Sequence, residues 1–301
     1  MTKLKTPLLG LEASGTLGDT ITFQKRSRTK FARGKPIMAD VRSLAQVYQR
    51  WDYQDAAFLW HSLTATEKLF YRKQGAKHHM TGFAYWMRTR LTDLPDLAGR
   101  WHLDEKTGTI AYDSSKNFNH GTIYGATPAA GIIDGAQSFD GINDYIDFTN
   151  APIFNFTTQD FTVECIVYLI TKPTYRVLLS RGLWATEGWQ IWFTDASDRI
   201  CFLTYQSGLY QASRAPAPPL ATWAHLAIRR KSSSGLIYIN GVNATTIFAV
   251  HQNPVSSTLP LLLGQRPEQS SWLNNIVDHL IIYNRALDST EILRHSLRRY
   301  P

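Results

Sequence analysis

Cysteine is scarce: the 301-residue chain contains two. Cys165 and Cys201 lie inside apolar, strand-like runs, Thr162-Val-Glu-Cys-Ile-Val and Arg199-Ile-Cys-Phe-Leu. Neither has a CxxC partner or zinc-site spacing, which excludes a metal ribbon and a thioredoxin-type redox centre. Both are expected to be buried free thiols, and a disulfide between them cannot be decided from sequence. Long apolar runs are missing too. No window approaches the roughly 20 residues that a membrane helix needs, so a soluble protein without membrane contact is expected. Met1-Thr-Lys-Leu-Lys leads into Pro7-Leu-Leu-Gly with no h-region or small-residue cleavage site, and export through an N-terminal signal is not expected.

Catalytic patterns are equally sparse. There is no HExxH and no phosphate-cradling glycine loop, and His102, His120 and His225 are scattered without a nucleophile partner. A retaining glycosidase needs two carboxylates about 5 Å apart. The longest strand-like run offers Glu164 with no suitably spaced acid, and Asp195 and Asp198 fall in a turn signal. The reading is therefore non-enzymatic.

Acidic residues are thin in the N-terminal third. Residues 1–100 carry 17 Lys+Arg against 8 Asp+Glu, and the remaining 201 carry 15 against 16. The net charge of +8 therefore arises in the first third, and it favours an acidic partner. Lys25, Arg26, Arg28, Lys30, Arg33 and Lys35 concentrate it in one run. Around this run, residues 1–42 read as an extended basic arm, in which Asp19-Thr-Ile-Thr-Phe-Gln alternates like one strand of a small hairpin. Residues 43–97 turn to a helical period, with capping boxes at Ser43-Leu-Ala-Gln46 and Thr64-Ala-Thr-Glu67, and with Gly75 placed to end the second helix. So small and aromatic a helical unit is expected to need a packing partner.

From residue 98 to residue 301 the texture is all-β. Short apolar or alternating runs recur about every ten residues, separated by Gly, Asn, Asp and Pro, as in an antiparallel jelly-roll sandwich. Asn240-Gly241 signals a tight hairpin. A last helix is expected over 289–298, capped by Asp288 and Glu291.

Gly99-Arg-Trp-His-Leu-Asp-Glu105, Tyr112-Asp-Ser-Ser-Lys-Asn-Phe-Asn-His-Gly121, Asp134-Gly-Ala-Gln-Ser-Phe-Asp-Gly-Ile-Asn-Asp-Tyr145, Trp223-Ala-His-Leu-Ala and Tyr238-Ile-Asn-Gly241 occur in that order. The series closes with Asn275-Ile-Val-Asp-His-Leu-Ile-Ile-Tyr-Asn-Arg-Ala-Leu287. It resembles the laminin-G-like, concanavalin-A-like lectin/glucanase superfamily, with Lys116 and Asn275 where that family usually has glycine. The resemblance implies a mainly β, concanavalin-A-like sandwich and says little about function, because the fold hosts enzymes, lectins and spacers. It also implies that Asp140, Asp144 and Asp278 help hold a structural calcium; the alternative is that they cap turns through Asx hydrogen bonds. Trp184, Trp189, Trp192, Tyr205 and Tyr210 are the glycan-stacking candidates, and filling the sandwich interior is the alternative. Trp189 and Trp192 must point to opposite faces of a strand, so at least one of them is core.

Gly15-Thr-Leu-Gly-Asp-Thr-Ile-Thr-Phe, Ala45-Gln-Val-Tyr-Gln-Arg and Trp60-His-Ser-Leu-Thr-Ala-Thr-Glu-Lys loosely resemble a module of phage-type virion proteins. With the missing signal peptide, the resemblance implies a virion structural protein (capsid decoration, head fibre or tail-attached) that assembles in the host cytoplasm; a small anchor with a sandwich head is in addition expected to form a homo-oligomer. It would dock on other virion proteins through its basic third and display the sandwich to host or environmental glycans. The alternative is a cellular carbohydrate-binding lectin or adhesin. Nucleic acid is not the expected partner, since the basic run lies in no known nucleic-acid-binding signature.

Overall fold

A computed structural model describes residues 43–93, 95–171, 175–194 and 198–298, together with the backbone of three strands nearer the N-terminus. The chain divides into two compact units, Met1–Gln46 and Val47–Pro301. The first holds an antiparallel meander of β1 (Gly15–Leu17), β2 (Ile21–Arg26) and β3 (Thr29–Gly34). The basic run is thus not fully extended. Lys25 pairs with Lys30 across the β2–β3 hairpin, and Thr22 pairs with Arg33.

Three helices follow: α1 (Leu44–Ser62), α2 (Ala65–Lys77) and α3 (Gly82–Asp93). The Thr64 hydroxyl accepts from the Glu67 amide while the Glu67 carboxylate accepts from the Thr64 amide, which completes the expected capping box. Gly75 does not end α2, which runs two residues further to Lys77. A side chain at Gly75 would meet the Met80 and Thr81 carbonyls at 2.8 Å, so glycine serves the close approach of the α2–α3 turn. Trp86 donates its indole N–H to the Ala56 carbonyl at 2.7 Å, and Trp60, Tyr71 and Phe83 pack around this contact.

The sandwich consists of two antiparallel sheets. The first runs β17 (Val242–Asn243), β16 (Ser234–Ile239), β15 (Trp223–Lys231), β10 (Phe161–Tyr168), β19 (Ile276–Tyr283), β8 (Gly135–Ser138) and β7 (Thr127–Ala130). β4 (Leu97–Trp101) adds to the far end of β19. The second runs β14 (Leu209–Pro216), β13 (Arg199–Gln206), β12 (Trp189–Thr194), β11 (Arg176–Arg181), β18 (Leu261–Leu263), β9 (Tyr145–Asp147), β6 (Gly121–Tyr124) and β5 (Ile110–Ala111). The strand-like runs around Cys165 and Cys201 form β10 and β13. The polar edge strand β14 had no such signal, because much of it is exposed or half-buried. Asn240 and Gly241 both take positive φ, 49° and 81°, as the β16–β17 turn requires. Cys165 and Cys201 are free and buried. The main core between the sheets includes Trp101, Phe148, Phe154, Phe161, Trp189 and Phe202.

The outer face of the first sheet is covered. α4 (Ser289–Ser296), capped by Asp288 and Glu291, lays Ile292 against Ala227, Tyr238, Ile281 and Tyr283. α1 docks beside it through charge. Asp52 pairs with Arg100 at 2.7 Å, Asp55 pairs with Arg294 at 3.1 Å and contacts Arg298, and the Tyr48 ring stacks on His102 at 3.8 Å. The helical unit therefore finds its packing partner in this chain's own sandwich. Beneath Asp55, the buried Glu164 of β10 meets His295 at 2.7 Å and His225 at 3.6 Å. Glu164 is part of this structural network, which His295 extends to Asp55 at 3.4 Å.

Candidate functional site

The second sheet bears its site on the face turned away from the core. Alternation along β12 sends Trp189, Ile191 and Phe193 into the main core and leaves Gln190 and Trp192 on the outside. In β13, Ile200 and Phe202 face in while Cys201, Leu203 and Tyr205 face out. Val177, Trp192, Cys201, Leu203 and Tyr205 form a second buried cluster on this outer face, with Trp184 and Ala212 packed on top.

Aromatic rings converge here. Trp184 lies 4.9 Å from Trp192, 5.4 Å from Tyr205 and 5.7 Å from Tyr210 between ring centroids. Tyr175 reaches Trp192 at 5.8 Å. The Arg266 guanidinium lies 4.5 Å from the Trp184 ring and 5.0 Å from the Trp192 ring, a double cation–π contact. Polar groups hold the rings in place. Trp184 donates its backbone N–H to Glu268 at 2.9 Å, Tyr205 donates its hydroxyl to Gln190 at 3.1 Å, and Gln190 donates onward to the Gly182 carbonyl at 3.2 Å. Burial pushes the Tyr205 phenol well above its ordinary range. Burial also lowers Arg266, while Tyr205 and Glu268 oppose that shift. Three buried polar atoms on this stretch lack a hydrogen-bond partner, namely the Trp192 indole nitrogen, the Gln265 amide oxygen and the Arg266 Nε.

Four of the five glycan candidates, Trp184, Trp192, Tyr205 and Tyr210, are brought together, and Trp189 is not. Trp189 is fully buried and donates to the Phe154 carbonyl at 3.0 Å, which corrects its assignment as a stacking residue. Within the four, Tyr205 is as fully buried as Trp189 and Trp192 is buried too, so these two form the floor and are corrected as stacking residues, while Tyr210 (49% exposed) and the half-buried Trp184 face outward. Sequence reasoning missed Arg266, Glu268 and Tyr175. An arginine in a loop some eighty positions downstream of Trp184 gives no local signal of the ring it will cover.

The acidic candidates do not converge as one donor set. Asp140 accepts from the Ile142 amide at 2.8 Å, and Asp144 accepts from the Asp140 amide at 2.9 Å, an Asx-type turn. Asp278 is fully buried in β19 and accepts from the Ile132 and Ile133 amides at 2.9 and 3.0 Å. Burial, with help from Asp104 and Asp134, raises its carboxyl to about 7. Among the described residues no group of three or more His, Cys, Asp or Glu side chains is placed to hold a metal ion. Turn capping accounts for Asp140 and Asp144. Of the basic candidates, Lys25 and Arg26 end β2 and Lys30 and Arg33 lie in β3, with side chains outside the described residues. Arg28 and Lys35 lie outside them entirely, as does Asp195.

The fold, and a family model matching residues 139–293, place the chain in the concanavalin A-like lectin/glucanases superfamily, and the chain belongs to it. No curated protein matches the sequence. Among solved structures, domain 4 of AbnA, a GH43 extracellular arabinanase from Geobacillus stearothermophilus, in complex with arabinotriose, is similar at 19% identity and TM-score 0.55. That match covers 67% of this chain and 98% of that one. The binding domain of Paraclostridial Mosquitocidal Protein 1 is similar at 16% identity and TM-score 0.54, covering 67% of this chain and 52% of that one. Trypanosoma rangeli sialidase in complex with sialic acid is similar at 19% identity and TM-score 0.53, covering 67% of this chain and 33% of that one. At these identities the likeness is one of fold.

Proposed function

We propose that the sandwich is a non-catalytic carbohydrate-binding head. The observation that carries the reading is the aromatic patch in which Trp184 and Tyr210 face outward over a buried floor of Trp192 and Tyr205, with Arg266 laid over two of its rings. Rings of this kind stack on the apolar faces of sugars. The arabinotriose complex of one structural neighbour supports the choice of ligand class. Against catalysis, Glu164 is buried and held by His295 at 2.7 Å, and Glu268 is engaged by the Trp184 amide.

Tyr210→Ala should weaken binding about tenfold on a glycan array or by calorimetry, the loss of one stacking contact. Because Tyr210 is half exposed, its unfolding midpoint should stay near the parent's. A full chain that binds no sugar on the array would refute the reading.

The basic N-terminal third is the docking half of the proposal. Its acidic partner would be a capsid or tail protein of a virion, and a cell surface is the setting if the chain is a lectin or adhesin. The concentration of positive charge in residues 1–100 supports docking. The full chain should then co-sediment with assembled particles and be released as salt rises; failure to co-sediment at low salt would remove the virion setting.

A further inference from the structure

A second aromatic platform lies on the same outer face. Along β6, Gly121 and Ile123 are buried while Thr122 and Tyr124 are exposed; along β9, Ile146 is buried between the half-exposed Tyr145 and Asp147. The Tyr124 and Tyr145 rings stack 4.5 Å apart with planes inclined by 11°, and Trp272 closes on Tyr145 at 6.0 Å. Next to Tyr124 the Gly125 backbone passes close against the Asp144 side chain. A side chain at Gly125 would meet the Asp144 carboxylate at 2.0 Å, and Gly125 also takes a positive φ of 76°. Tyr124 remains 45% exposed, and neither the core nor α4 uses the platform.

One compact loop joins the two platforms. Leu273 donates its amide to the Gly264 carbonyl at 2.8 Å and closes the loop, and inside it Gln269 donates to Arg266 at 2.9 Å. The loop is pinned to β11: Val177 donates its amide to Ser271 at 2.9 Å, and Arg176 donates to the Trp272 carbonyl at 2.8 Å and the Gly141 carbonyl at 3.1 Å. The same loop therefore lays Arg266 over the first platform and Trp272 beside the second.

We propose that the Tyr124, Tyr145 and Trp272 platform is a second sugar subsite, so that the ligand of this face is an extended oligosaccharide rather than a single sugar. This rests on the carbohydrate reading above. The two platforms share one sheet face and one loop, and a chain crossing the face meets exposed rings at each end. Asp147 and Thr122, cross-strand partners on that face, flank the second stack with groups able to bond sugar hydroxyls.

The experiment uses a glycan array that carries each sugar as the monosaccharide and as longer oligomers. The probes are the full chain, Tyr124→Ala and Tyr124→Phe. The parent should bind the longer oligomers of its preferred sugar at least about tenfold more tightly than the monosaccharide. Tyr124→Ala should lose that gain and keep monosaccharide binding, and Tyr124→Phe should retain the gain because the ring remains. Binding that is independent of length, or a Tyr124→Ala chain that keeps the full gain, overturns the second subsite and leaves the first standing. Absence of all sugar binding by the parent overturns both.

Discussion

Glu164→Gln should cost about 3–5 kcal/mol of stability near neutral pH, read as a large fall in the urea midpoint by tryptophan fluorescence. Glu164 lies in β10, and its two oxygens face His295 at 2.7 Å and His225 at 3.6 Å. His295 also reaches Asp55 of α1 at 3.4 Å, and Asp55 contacts Arg294 and Arg298. Burial opposes the charge on Glu164, and the positive groups at His295 and His225 outweigh it, so its carboxyl lies below the ordinary value of 4.5. Asp55 behaves in the same way: burial raises it, and His295 and Arg298 bring it well below 3.8. Burial pulls His295 down, but Glu164 leads the groups that carry it above 6.5.

The signs set a pH window. The carboxylates contribute stability that is present above their unfolded values of 3.8 and 4.5 and is lost as pH falls through their depressed folded values. His295 contributes stability that is fully present below 6.5 and is lost as pH rises through its raised folded value. The network is therefore strongest from about pH 5 to pH 6.5. In Glu164→Gln the alkaline loss should begin at lower pH, because His295 has lost its leading partner. Salt should change little, since Glu164 and His295 are buried. A variant whose midpoint and pH profile match the parent would show that the network adds nothing to α1 and α4 docking.

The two halves of this molecule were unequally legible. Strands such as Phe161–Tyr168 and Ile276–Tyr283 announce themselves because both sheet faces are covered at that point, by the core on one side and by α4 and α1 on the other. Capping boxes at Thr64 and Asp288 are local chemistry, so sequence finds them. Gly75 misled because glycine serves close approach as readily as helix termination, and only the fold says which. The site was half legible. Its rings cluster within residues 184–210, but period-two alternation then sorts them between core and surface, and a strand's alternation alone does not say which set faces inward. Arg266, Glu268 and the whole Tyr124–Tyr145–Trp272 stack arise from pairing β11 with β18 and β9 with β6. Contacts made by strand order across long sequence separations have no local signature.

Trp189→Ala should destabilise the chain by about 3–5 kcal/mol, the usual range for emptying an aromatic site in a packed core. Trp189 has no exposed surface, packs on Phe161 at 5.2 Å and Phe156 at 6.0 Å, and donates to the Phe154 carbonyl at 3.0 Å. Truncation opens a cavity between the sheets and also leaves the Phe154 carbonyl without that donor. Trp189→Phe keeps most of the volume and loses the hydrogen bond, so it should cost about 1–3 kcal/mol. Tyr210→Ala makes the opposite trade, with stability nearly unchanged and sugar affinity reduced. The two tests together separate the faces of one sheet. Measured by denaturant unfolding and sugar titration, Trp189→Phe should bind sugar as the parent does once corrected for the folded fraction. If Trp189→Phe instead lost binding while fully folded, Trp189 would have to reach the ligand, and the inward assignment of β12 would be wrong.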